Sequence, residues 1–263
     1  MNMKFNETLK ILLIIIFLLL IKQSSSTFLQ NLLKASRCNK DSGLMTTDEK
    51  KIIITTHNKL RNQIALQTNV VGPKIPYATN MIQMYYSEAI GEKAQEWANK
   101  CLFKHSPKGF RKQPQFKTGE NIYKISFIGG KPEKNWQKAI EAWYAEIKDF
   151  AGKSVDSFQA GAAATGHFTQ IIWAYSYLIG CGFASYSDSP GSVTHLHVCQ
   201  YGGVGNIIGF PIYMSSMTPA CNCPGELACN NLTFTGLCCP VGHCNHNSIE
   251  FHGEPFKGTL PDI

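Results

Sequence analysis

Apolar residues recur at helical spacing in three stretches before the pattern changes to that of strands. Ile53, His57, Leu60 and Ile64 follow at intervals of 4, 3 and 4, one face of a helix. Ahead of them Thr46 and Glu49 make a capping box that opens it, and the polar, proline-containing stretch from Asn69 to Pro76 closes it. Ser87 caps a second helix, on which Ile90, Ala94, Trp97 and Cys101 repeat the same spacing. Cys101 therefore lies on a buried face. Pro107 biases Ser106 toward an extended backbone, so His105 falls in the loop just after this helix. Trp136, Ile140, Trp143, Ile147 and Phe150 form the stripe of a third helix, predicted from about Asn135 to Phe150. Glu146 borders that stripe, and Glu141 faces water.

The later pattern is that of strands. Ile179 to Ser185 and Val193 to Tyr201 are β-rich runs joined by the turn-like Ser187 to Gly191, an antiparallel hairpin. Cys181 and Cys199 stand on its two arms, where they can bridge. Gly119 to Phe127 is a third strand. Helices followed by an antiparallel hairpin predict an α+β layered domain, not a doubly wound parallel sheet.

At the N-terminus, Lys4 and Lys10 precede an unbroken apolar run from Ile11 to Ile21, with Ser24, Ser25 and Ser26 after it. That run is too short for a bilayer helix, and the small residues mark a cleavage site. Residues 1–26 read as a signal peptide, 27–218 as the main domain, and 219–263 as a separate cysteine module with its tail. The expected product is secreted, extracellular, monomeric and without a transmembrane segment. All ten cysteines survive the cut, and an even number in an oxidising compartment favours disulfides over zinc ribbons. Cys38, Cys101, Cys181 and Cys199 are spread widely. Cys221, Cys223, Cys229, Cys238, Cys239 and Cys244 crowd together and must staple a small irregular unit whose pairing stays open.

Without residues 1–26 the chain has 22 basic and 17 acidic groups, a net of +5, of which +8 lies before Pro219 and −3 after it. No basic run with interleaved aromatics is present, so nucleic acid is not an expected partner; the mild positive balance allows a weak attraction to anionic surfaces.

His57 sits on an apolar stripe and reads as a buried structural histidine. His195 and His197 share a strand face with Cys199; metal binding there is the lesser reading, because a disulfide takes the cysteine. His243, His246 and His252 read as solvated. His105, Glu120, Glu146 and His167 come from four different elements and supply two imidazoles and two carboxylates, a set suited to zinc or to acid–base work. Spacing alone does not bring them together. The nucleophile patterns G-x-S-x-G and H-E-x-x-H are missing, as are the P-loop and the Rossmann glycines. Asn231-Leu232-Thr233 is a glycosylation sequon at Asn231.

Four motifs in order resemble the CAP superfamily of cysteine-rich secretory, antigen-five and pathogenesis-related proteins. They are His57-Asn58-Lys59-Leu60-Arg61, Gly119-Glu120-Asn121-Ile122, Gly166-His167-Phe168-Thr169-Gln170-Ile171-Ile172-Trp173, and Val198-Cys199-Gln200-Tyr201 through Asn206. The resemblance implies a three-layer α–β–α sandwich around a central antiparallel sheet. It also implies that His105, Glu120, Glu146 and His167 form a cavity tetrad able to take zinc or another divalent cation, none being obligatory. Cys38–Cys101 and Cys181–Cys199 resemble bridges of the antigen-five branch, and the cysteines after Pro219 resemble the hinge of cysteine-rich secretory proteins. His197 departs from the pattern, standing where an aromatic or aliphatic residue is usual.

The expected function is that of a secreted, non-enzymatic, venom-allergen-like protein that binds a lipid (sterol or fatty acid) or an extracellular protein. Met81, Met84, Tyr85 and Tyr86 read either as the wall of an apolar groove or, more simply, as core. Two alternatives remain. One is a metal-dependent or acid–base hydrolase, protease or esterase, using the tetrad. The other is receptor or channel binding through the cysteine module.

Overall fold

The computed structural model describes residues 12–23, 38–39, 45–129, 133–151, 153–161, 165–230, 232–241 and 244. Asn231 and the three tail histidines lie outside the described residues. Residues 12–23 form a helix whose apolar side chains, Leu12 to Ile21, are all exposed. Among the described residues no helix is long and apolar enough to cross a membrane.

Thr46 accepts a hydrogen bond from the Glu49 N–H while the Glu49 side chain accepts from the Thr46 N–H, and this box opens helix α1, Thr47–Leu66. Its stripe of Ile53, His57, Leu60 and Ile64 is buried as the spacing predicts. Ser87 caps α2, Glu88–Ala98. A single turn, α3, covers Lys108–Arg111. The predicted third helix divides: α4 runs Trp136–Tyr144 and tightens into a 3₁₀ segment, Ala145–Phe150. The apolar residues are spaced by three at its end (Ile147, Phe150), which suits three residues per turn, and both remain buried. Helix α5 is Gly166–Ile171.

The main sheet has the order β1-β5-β6-β4. Here β1 is Cys38–Asn39, β4 is Gly119–Ile128, β5 is Leu178–Tyr186 and β6 is Ser192–Gly202. These strands pair antiparallel, while the short β3, Tyr85–Tyr86, joins the free edge of β5 in parallel. Two two-residue strands, β2 (Tyr77–Ala78) and β7 (Ser215–Ser216), pair apart from it.

Side-chain alternation divides the sheet's two faces. Ala184, Tyr186, Leu196 and Val198 pack with Ala94 and Trp97 of α2. Ile179, Cys181, Phe183, Cys199 and Tyr201 pack on the other side with residues of α1, α4 and α5. This is the expected α–β–α sandwich. Gly180 and Gly182 face α2, and a Cβ on them would lie 2.1 Å from the Gly91 nitrogen and 2.3 Å from the Gln95 Cα. Helix and strand therefore meet backbone to backbone.

Met81, Met84, Tyr85 and Tyr86 are all at most 3% exposed: they are core, not a groove wall. Cys181–Cys199 is bonded across β5 and β6. Cys101 is in a disulfide as well, while the side chain of Cys38 lies outside what is described. In the C-terminal module the pairing is Cys221–Cys229, Cys223–Cys238 and Cys239–Cys244. Its hairpin, β8 (Leu227–Cys229) and β9 (Cys238–Pro240), is docked on the domain. The Cys238 N–H donates to Met81 O and the Gln83 N–H donates to Cys238 O. Leu237 and Phe234 enter the main core.

Candidate functional site

Helix α1 places three polar side chains in the core, each matched to a partner. Asn58 Nδ2 donates to Met84 O while its Oδ1 accepts from the Met84 N–H, so the amide acts as one more rung of backbone. Arg61 is fully buried without a carboxylate partner; its guanidinium donates to the carbonyls of Ile82, Ile171, Trp173 and Ala174. Ile171 O stands at the last turn of α5, where a helix leaves its carbonyls without partners. Desolvation lowers the Arg61 pKa to about 9, with Tyr201 opposing. It stays charged at neutral pH.

His57 is the buried structural histidine the pattern predicts. Its Nδ1–H donates to Ile53 O at 2.8 Å, so Nε2 accepts from the Tyr201 hydroxyl at 3.0 Å. Burial lowers its pKa to about 4. Asn121 Nδ2 then reaches both the Tyr201 oxygen and the His167 carbonyl, at 3.2 and 3.1 Å. A chain of hydrogen bonds thus runs from α1 through β4 and β6 to the start of α5.

The four candidate ligands form two imidazole–carboxylate pairs. His105 lies in the loop after α2, held by the Trp97 indole N–H on Lys104 O. Its Nδ1–H donates to Glu120 Oε1 at 2.9 Å. The same carboxylate accepts from the Ser106 N–H, the Ser106 hydroxyl and Gln200 Nε2, which stands opposite it in the β4–β6 register. Arg111 lies 3.6 Å away. Burial alone would raise the Glu120 pKa, but His105, Ser106 and the Arg111 charge together hold it below its usual value.

In the second pair, His167 Nδ1–H donates to Glu146 Oε1 at 2.6 Å. The other oxygen, Oε2, accepts from the His167 and Phe168 N–H groups. Thr165 makes no side-chain cap on α5, so Glu146 both caps that helix and orients its histidine. Trp143 stacks against the ring at 6.2 Å. In each pair Nδ1 is taken by a carboxylate, which leaves Nε2 with its lone pair; the His105 side chain is 61% exposed and that of His167 33%. Carboxylates that fix the tautomer in this way are the outer partners of metal-binding histidines. No three of these four residues bring ligand atoms within 4.8 Å of one another. The four residues therefore do not form a closed four-ligand cage; each pair presents one imidazole nitrogen with a carboxylate behind it.

The sulfurs of Cys221, Cys223 and Cys238 do lie within 4.8 Å of one another. They belong to two disulfides and offer no thiolate. His195 and His197 face α4 together, ring centroids 6.3 Å apart, among Trp136, Phe127 and Phe183. Both nitrogens of the buried His197 lack a hydrogen-bond partner. Desolvation, with His195 and Lys134 nearby, lowers its pKa to about 3.

The order of these motifs and the sandwich that carries them agree with the comparison of the chain with known families. Residues 54–201 match the CAP family, described as the cysteine-rich secretory protein family. The chain belongs to this family. Venom allergen 5 of Tityus serrulatus is 33% identical over 213 residues, 78% of this chain and 50% of that protein. Cysteine-rich secretory protein 2 of Cavia porcellus is 34% identical over 214 residues, 79% of each chain. The chain thus spans about half the length of several curated CAP relatives, the Tityus allergen among them. Among solved CAP structures, NaASP2 with Zn2+ is 28% identical with a TM-score of 0.61, covering 75% of this chain and 98% of that one. Na-ASP-1 has the same identity and TM-score, covering 77% and 49%.

A cavity of 810 Å³ opens beside the first pair. His105 and Glu120 line it, with Lys108 and Arg111 of α3, Lys112 beside that helix, Lys117, and residues 204–208. The cations that line it were not singled out by the sequence pattern. The available signal was the stretch 100–117, which carries six Lys and Arg residues and no acid.

Proposed function

We propose that this CAP protein is a secreted, non-enzymatic binding protein whose two histidine–glutamate pairs hold a divalent cation. The observation that carries the reading is the shared arrangement of His105 and His167, each with Nδ1 on a carboxylate and Nε2 free. Glu120 and Glu146 fix the tautomers and ring positions, Trp143 packs against one ring, and the hydrogen bonds from His57 through Asn121 hold the His167 backbone. A bound cation would supply charge and a fixed point for an anionic or carbonyl group of the target. The Zn2+ in the NaASP2 structure supports this reading.

The binding target is a lipid or an extracellular protein. The apolar segment before residue 27, a helix whose described side chains are exposed, supports secretion. Hydrolysis is the weaker reading. Ser106 gives its hydroxyl hydrogen to Glu120 and has no imidazole to activate it, and every described cysteine is in a disulfide.

Calorimetric zinc titration of the protein lacking residues 1–26 tests this, beside His105→Ala and His167→Ala. One site, lost in both variants, is the expected result. Zinc binding unchanged in either variant refutes the site, and zinc-dependent peptidase or esterase turnover lost in both refutes the non-enzymatic assignment.

A further inference from the structure

The cavity beside His105 carries an excess of positive charge that the imidazole site does not use. Lys108, Arg111, Lys112 and Lys117 line the cavity. Arg111 is committed: its Nε donates to Thr118 O at 3.0 Å, its terminal nitrogen reaches the Ser106 carbonyl and hydroxyl, and its charge offsets Glu120. Glu120 is the one acid in the lining. Lys108, Lys112 and Lys117 are exposed, and among the described residues none of them has an acidic partner. Three like charges held around one concavity repel one another, and an anionic occupant relieves that repulsion.

We propose that this groove binds a sulfated glycan chain. Lysine ammonium groups are compact point charges that pair with sulfate oxygens in many orientations, as a chain of repeated sulfate esters requires. The cations share the lining of one 810 Å³ cavity with Val204 to Ile208; a narrow linear chain can enter such a cavity, whereas a planar bilayer cannot. No Phe, Tyr or Trp lines the groove, so the stacking platform of single-stranded nucleic acid binding is missing. The apolar Ile207 and Ile208 offer a surface for the C–H face of a sugar ring. Because the lysines are exposed and hydrated, binding weakens with salt, as release of about three counterions requires. The site stands independently of a cation at the two imidazoles.

The test is titration of the protein lacking residues 1–26 with a heparin-derived dodecasaccharide, in EDTA, at two salt concentrations. The groove variant is Lys108→Ser/Lys112→Ser/Lys117→Ser; the control, Lys59→Ser/Lys138→Ser/Lys148→Ser, removes equal charge from exposed positions elsewhere. The groove variant is expected to raise Kd about tenfold or more, and the control less than about twofold. Circular dichroism and zinc titration of the groove variant are expected to be unchanged, which separates loss of glycan binding from loss of fold or of the cation site. Equal weakening by both variants would assign the effect to net charge and overturn the site. So would equal binding of the desulfated oligosaccharide, no binding by the parent protein, or capture by phosphatidylserine vesicles in place of the oligosaccharide.

Discussion

At Arg61 one side chain closes four backbone carbonyls from two distant segments, and nothing shorter can replace it. Removing it leaves the Ile82 and Ile171 carbonyls without a donor, while Trp173 O and Ala174 O keep the Ser176 and Ile82 N–H groups, so Arg61→Ala is expected to cost about 3 kcal/mol in urea unfolding. His197 presents the opposite case. Its two nitrogens are buried and unpartnered among aromatic rings, so His197→Phe is expected to stabilise the protein by about 1 kcal/mol, read as a raised Tm. A lowered Tm would mean that His197 has a partner. His57 and His197 also set a pH dependence. Their folded pKa values, about 4 and about 3, lie below the usual 6.5, so between pH 4 and 6.5 the unfolded chain binds more protons. Stability therefore rises with pH across that window, by up to about 2.7 kcal/mol per unit for two protons; His197→Phe should halve the slope. The burial of His57 was legible from its place on an apolar stripe. The carbonyls that Arg61 holds were not, because they stand 21 to 113 residues away in sequence.

At the scale of elements, spacing foretold α1, α2 and the hairpin with their caps, since each is a local pattern. It did not foretell the change of α4 to a 3₁₀ segment, because both pitches bury Ile147 and Phe150. Nor did it show that the carboxylate on this segment caps α5. Glu146→Ala is expected to cost about 1–2 kcal/mol through the lost cap. The contact of α2 with β5 depends on absent side chains. Gly180→Ala places a methyl group on the helix backbone and is expected to cost about 1–3 kcal/mol, measured by thermal unfolding; a neutral effect would mean the two elements separate easily.

For the whole molecule, the cysteine module is part of the packed body. Its cysteine spacing predicted a small irregular stapled unit but did not show that Phe234 and Leu237 enter the main core. With Leu237 fully buried, Leu237→Ala is expected to cost about 2–5 kcal/mol, and deleting residues 219–263 would uncover core beside Ile82. Loss of activity on such a deletion would therefore not by itself identify the module as the binding surface. The candidate site was legible as four residues through its motifs, but its division into two pairs required the fold. The central claim is that both imidazoles, and not the carboxylates or the cysteines, hold one cation. X-ray absorption at the zinc edge, on protein loaded with one equivalent, tests it most directly. Two imidazoles per zinc are expected, falling to one in His105→Ala and in His167→Ala. Sulfur in the zinc shell, or an imidazole count that neither variant changes, would contradict it.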